Sequence, residues 1–182
     1  MSILIKKVTY QGGFLTAESE KAVLALLKEK CIKLLPKNVE DKHVTINFFD
    51  DKAIKAAGKD PVQVRREQLF SNEDLGKVVT IKVVAFGEYV EDGVVLNQGL
   101  EVDIESLRAI ILSDGRNLAD MFDLNKPHVT LALSDAVNEN GKAIAKAVNT
   151  YKCDFVVPFE MELQVSLEVC KFNVRGTKIV DD

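Results

Sequence analysis

The chain has no tryptophan, only three cysteines and four prolines, and only two histidines among its 182 residues. Cys31, Cys153 and Cys170 are odd in number, far apart and without a CxxC spacing, so neither a disulfide framework nor a thiolate metal site is expected. No run of eighteen apolar residues is present, which argues against a membrane-spanning helix. The first residues lack the charged start, apolar stretch and small-residue cleavage site of a secretory signal. The expectation is a soluble, cytoplasmic protein. Excess positive charge is also missing: the net charge is −4 and the pI near 5.3. That excludes a protein that tracks along a nucleic-acid backbone but leaves a short RNA end or a small nucleotide open as partner.

What is there suits one domain spanning residues 1–182, with 47% apolar residues and enough chain to bury a sizeable core. Residues 3–10 read as a strand broken by Gln11-Gly12-Gly13. A helix should follow, capped by Thr16, with Glu18 and Glu20 in its first turn. Its apolar stripe is Val23, Leu24, Leu27, Cys31 and Leu34, with Cys31 in the core and Pro36 as the stop. Residues 43–49 alternate as a half-buried strand, and 50–75 form a charged excursion, mobile or partly helical. Strands are expected at 77–86, 94–96 and 100–102, with a turn region at 87–93. Asp103 should cap a helix carrying Leu107, Ile110 and Ile111, and a short helix is expected near 118–122. A second alternating strand spans 128–134, a helix lies around 142–148, and strands cover 155–157 and 161–174.

Both histidines open the same tripeptide, His43-Val44-Thr45 and His128-Val129-Thr130, each followed by an aliphatic residue. With seven threonines in 182 residues, composition alone yields this pair about once in 700, or roughly once in 50 if other noticeable pairings are counted. The repeat is therefore read as a motif. Residues i and i+2 of a strand share a face, so each tripeptide presents an imidazole beside a hydroxyl while the aliphatic residues anchor the strand from behind. Imidazole titrates near neutrality, which lets one copy accept a proton while the other gives one. In-line displacement at phosphorus requires that division, and hydroxyls can hold the charge on the non-bridging oxygens. Neither histidine has a second histidine at i±2 or i±4, and Asp41, two before His43, is the one carboxylate at those spacings, so no metal and no cofactor is expected.

The two motifs, His43-Val44-Thr45-Ile46 and His128-Val129-Thr130-Leu131, resemble those of the 2H phosphoesterase superfamily. The resemblance implies an α+β fold of two pseudo-symmetric lobes, each an antiparallel sheet backed by helices, with a cleft between them. It implies His43 and His128 as the acid–base pair and Thr45 and Thr130 as phosphate contacts, without saying which histidine is the base. The favoured activity is hydrolysis of a 2′,3′-cyclic phosphate at an RNA end or on a nucleotide; 2′-5′-linked or cyclic oligonucleotides are the alternative substrates. A non-catalytic RNA-end or nucleotide-binding module and a plain interaction domain are the readings from other classes. No lysine lies in a recognisable nucleotidyl-transfer motif. Lys42 and Lys126 are candidates for attracting phosphate, and Tyr89 for stacking on a base, whereas Phe86 and Phe122 read as core. Lys59, Arg65 and Arg66 are weaker candidates for nucleotide contact, as Asn47 and Ser134 are for the cleft lining.

Overall fold

The computed structural model describes residues 1–176 and 178–182. The chain opens with β1 (Ser2–Leu4), a 3₁₀ turn (Ile5–Lys7), β2 (Tyr10–Leu15) and α1 (Ala17–Glu29). It continues through β3 (Lys37–Asn38), β4 (His43–Phe48), α2 (Asp51–Ala56) and α3 (Pro61–Gln68). Then come β5 (Val78–Glu91), β6 (Val94–Val102), α4 (Ile104–Arg108), α5 (Leu118–Met121) and β7 (His128–Leu133). A second 3₁₀ turn (Ala147–Lys152), β8 (Asp154–Lys171), β9 (Val174–Gly176) and β10 (Lys178–Val180) complete it. Among the described residues no helix is long and apolar enough to cross a membrane.

Six strands run in the order β2-β4-β7-β6-β5-β8, and β8 pairs back onto β2, so the sheet closes into a barrel. The mixed helix and strand content agrees with the α+β expectation. The strands join in one continuous sheet, however, in place of the separate sheets expected of two lobes. Closure removes the unpaired edges that an open sheet would expose. Val44 and Ile46 of β4, Val129 and Leu131 of β7, and Leu163, Val165 and Leu167 of β8 are fully buried on one face of this sheet, against Val23 and Leu27 of α1 and Leu107 of α4.

Local chemistry explains most element boundaries. Thr16 caps α1 by accepting the Ser19 N–H, and Asp103 caps α4 through Glu105. Helix α1 ends at Glu29, and Cys31 adopts φ +58°. The Ile32 N–H bonds the Leu27 carbonyl and the Cys31 N–H that of Lys28, a Schellman stop with cysteine in the left-handed place. Cys31 is consequently exposed and not core, contrary to the stripe reading.

Gln11-Gly12-Gly13 lies inside β2 and does not break it, because the glycines permit close strand approach where β2 bulges against β4. The excursion at 50–75 is two helices anchored by a buried arginine. Arg65 Nε donates to the Val8 carbonyl (2.8 Å), its Nη2 pairs with Asp51 (2.6 Å), and the guanidinium lies over Phe49. Strands β5 and β6 run through the expected turn region, meeting at Asp92-Gly93, where both φ values are positive as a two-residue hairpin requires. The helix expected at 142–148 does not form. Asn138 turns the chain by accepting the N–H groups of Asn140 and Lys142, Val137 bridges Ala143, and only the 3₁₀ turn follows.

A Cβ at Gly12 would stand 2.0 Å from the Val44 carbonyl oxygen, whereas one at Gly58 meets open space but a φ of +76°. Gly12→Ala should therefore cost about 3 kcal/mol or more and Gly58→Ala about 1–2 kcal/mol in urea unfolding. Equal losses at the two positions would contradict the close β2–β4 approach.

Candidate active site

Strands β4 and β7 are antiparallel and meet with Val44 opposite Val129. That register sets His43 across from Thr130 and Thr45 across from His128, all on the face opposite the buried valines. The two histidines are thus diagonal neighbours, about 7–8 Å apart at the backbone by the usual sheet geometry. Each side chain is half-buried.

The rings are held identically. His43 Nδ1–H donates to the Asp41 carbonyl (2.9 Å) and His128 Nδ1–H to the Lys126 carbonyl (2.7 Å), in both cases two residues upstream. A carbonyl oxygen can only accept, so each Nδ1 carries the proton and each neutral ring keeps its lone pair on Nε2. Among the described residues neither Nε2 has a hydrogen-bond partner. Two matched bases are thereby presented on one face.

Burial lowers the pKa of both rings below the ordinary imidazole value. At His43 the proximity of His128 and Arg175 lowers it further, while the carbonyls of Asp41 and Lys126 act in the opposite direction on their respective rings. His43 also stacks on Phe14 (4.7 Å between centroids) and on Tyr10 (5.0 Å). Phe14 in turn carries the Arg175 guanidinium at 5.0 Å from its centroid. Arg175 is bonded to Glu168 (3.1 Å) and lies 3.6 Å from Asp41.

The threonines differ. The Thr45 hydroxyl has no partner among the described residues, whereas Thr130 donates to the Thr150 hydroxyl (2.9 Å). Lys42 does not face the histidines: it is 4% exposed, with Nζ bonded to Glu20 (2.9 Å) and to the Val39 carbonyl (2.8 Å). Alternation turns it to the opposite side of the strand from His43, where it closes the short loop before β4. Lys126 pairs with Glu101 (3.1 Å) and lies over Phe155, so its charge is largely compensated. Its service to the site is its carbonyl. Tyr89 sits opposite Asn97, four residues along β6 from Glu101, the partner of His128, and is covered by Lys152. It is remote from the rings.

Asn47 is buried, accepting from Gln11 and donating to the Met121 carbonyl, and Ser134 is buried with its hydroxyl accepting the Ala136 N–H. Both are structural. Arg65 is spent on the helical excursion, and Arg66 pairs with Asp181. Phe86 is core as expected and Phe122 packs against that core. Phe14, Tyr10, Arg175 and Thr150 were not legible in the sequence, since they reach the motif strands from β2, β9 and the second 3₁₀ turn. Among the described residues no group of three or more His, Cys, Asp or Glu is placed to hold a metal ion.

Imidazole NMR titration should show both rings with the proton on Nδ1 when neutral and both titrating below pH 6.5. His128→Gln should raise the pKa of His43 by removing a neighbouring positive charge; a value for either wild-type ring above 6.5 would contradict this geometry.

Among solved structures, TT0787 of Thermus thermophilus is similar at 14% identity, over 88% of this chain and 87% of that one, with a TM-score of 0.43. No family model matches the chain. No curated protein matches it.

Proposed function

We propose that the protein is a metal-independent phosphodiesterase of the 2H type, hydrolysing a 2′,3′-cyclic phosphate at an RNA end or on a nucleotide. The observation that carries this reading is the pair of identically oriented imidazoles flanking one strand-to-strand bridge. One Nε2 removes a proton from water as its oxygen attacks phosphorus. The other, protonated, delivers its proton to the ribose oxygen as the phosphorus–oxygen bond breaks. Thr45, whose hydroxyl is uncommitted, donates to a non-bridging oxygen. The reading carries with it an approximate twofold relation between the two motif halves. The three cysteines are free thiols, which fits a reducing, cytoplasmic setting.

The commitment of the Thr130 hydroxyl to Thr150 and the lowered basicity of both rings favour one second reading, an RNA-end or nucleotide-binding module without turnover. The test is incubation with 2′,3′-cyclic mononucleotides and a 2′-5′-linked dinucleotide in EDTA. His43→Ala and His128→Ala should each lower kcat/KM by about 10²–10⁴-fold with the fold retained by circular dichroism. Wild-type rates in both variants would end the enzymatic reading, and binding without product would favour the second.

The pH profile follows from the directions of the two shifts. The productive free enzyme has one ring neutral and one protonated, a form most populated between the two pKa values. Both lie below 6.5, so kcat/KM should peak on the acid side of 6.5 and fall as pH rises through neutrality. A maximum at alkaline pH would exclude this pair as acid and base.

A further inference from the structure

Thr130 is backed by a buried polar chain that Thr45 lacks. Thr150, fully buried in the second 3₁₀ turn, accepts the Thr130 hydroxyl (2.9 Å) and also an N–H of Asn97 (3.1 Å). The Asn97 amide donates from the same nitrogen to the Lys146 carbonyl (2.8 Å). A carbonyl can only accept, so the amide cannot turn over, and its nitrogen must also face Thr150. The other end of the amide shows the consequence: Asn97 Oδ1 is buried without a hydrogen-bond partner among the described residues. An orphaned buried oxygen is destabilising, so Asn97 is held in place by what its nitrogen does.

The sheet is shaped to admit this chain. Gly99 lies opposite Thr130, and a Cβ there would stand 2.5 Å from the Thr150 methyl group. Gly87, paired with Gly99, would place a Cβ 2.5 Å from the Asp154 carbonyl. The two glycines form a notch that seats residues 150–154 against the back of the site, with Cys153 Sγ reaching the Asn97 carbonyl (3.7 Å).

We propose that Asn97 and Thr150 are positioning residues that turn the Thr130 hydroxyl onto a phosphoryl oxygen of the substrate. The proposal rests on the phosphodiester reading above. Hydroxyl hydrogens rotate, so a phosphoryl oxygen set against Thr130 reverses its bond with Thr150. Asn97 then donates to Thr150, Thr150 to Thr130, and Thr130 to the substrate. No proton leaves its own atom. Each bond polarises the next, and the donor facing the phosphate is strengthened by the two behind it.

Thr150→Val removes the relay hydroxyl at nearly constant volume, and Thr150→Ser retains it. On 2′,3′-cyclic AMP, Thr150→Val should lower kcat/KM about tenfold, and Thr150→Ser should restore most of the rate. The deciding readout is a double-mutant cycle. In a Thr130→Val background Thr150→Val should cost nothing further, whereas in a Thr45→Val background it should cost its full tenfold. A merely structural Thr150 would cost the same in all three backgrounds, and that result overturns the relay while leaving the histidine reading intact. The same cycle read as affinity for 3′-AMP by calorimetry, without turnover, tests the relay separately from catalysis. If wild type binds but does not turn over, coupling confined to Thr130 supports the relay and its absence overturns it. Absence of both turnover and binding overturns both proposals.

Discussion

One backbone contact organises the site: the meeting of Val44 and Val129 on antiparallel strands. Because side chains alternate along a strand, burying these valines turns the flanking histidines and threonines together onto the other face. Each fully buried valine contributes roughly 1.5–3 kcal/mol relative to exposure, which makes a one-residue slip of either strand expensive. Such a slip would turn the slipped strand's imidazole into the apolar core and its valine out of it. The apolar side of the sheet therefore sets the register that its polar side uses. Closure of the barrel through β2 and β8 holds that register from both directions.

Charge around the rings is settled by burial and pairing. Lys42 and Lys126 adjoin the motifs in sequence, yet one is buried against Glu20 and the other is tied to Glu101. Arg175 arrives from β9, sits over Phe14 and is sensed by His43, with Glu168 and Asp41 around it. Two histidines of depressed basicity close to one another remain neutral together at neutral pH in the free protein. An anionic phosphate set between them would favour protonation of one ring.

The two halves of the motif are alike in their imidazoles and unlike in their hydroxyls. The resemblance of the rings is local, since a carbonyl two residues upstream fixes each. The difference is long-range: Thr150 reaches Thr130 through a notch made by Gly87 and Gly99, whereas Gly12, opposite Thr45, admits the β4 backbone itself.

The sequence by itself determined what depends on neighbours within a few residues. It carried the alternation of the two motif strands, the caps Thr16 and Asp103, the core positions Phe86 and Leu107, and the pairing of each imidazole with a hydroxyl. Where it misled, a local pattern met a distant partner or a special backbone geometry. Gly12 and Gly13 looked like a break but let strands approach, Cys31 continued an apolar stripe but took the left-handed turn, and Arg65 looked solvated but is buried against Val8 and Asp51. Only the tertiary structure decided that Lys42 is spent, that Tyr89 is remote, and that Arg175, Phe14 and Thr150 stand at the motif strands. Periodicity acts over i to i+4, whereas burial and charge pairing are set by segments brought together from opposite ends of the chain.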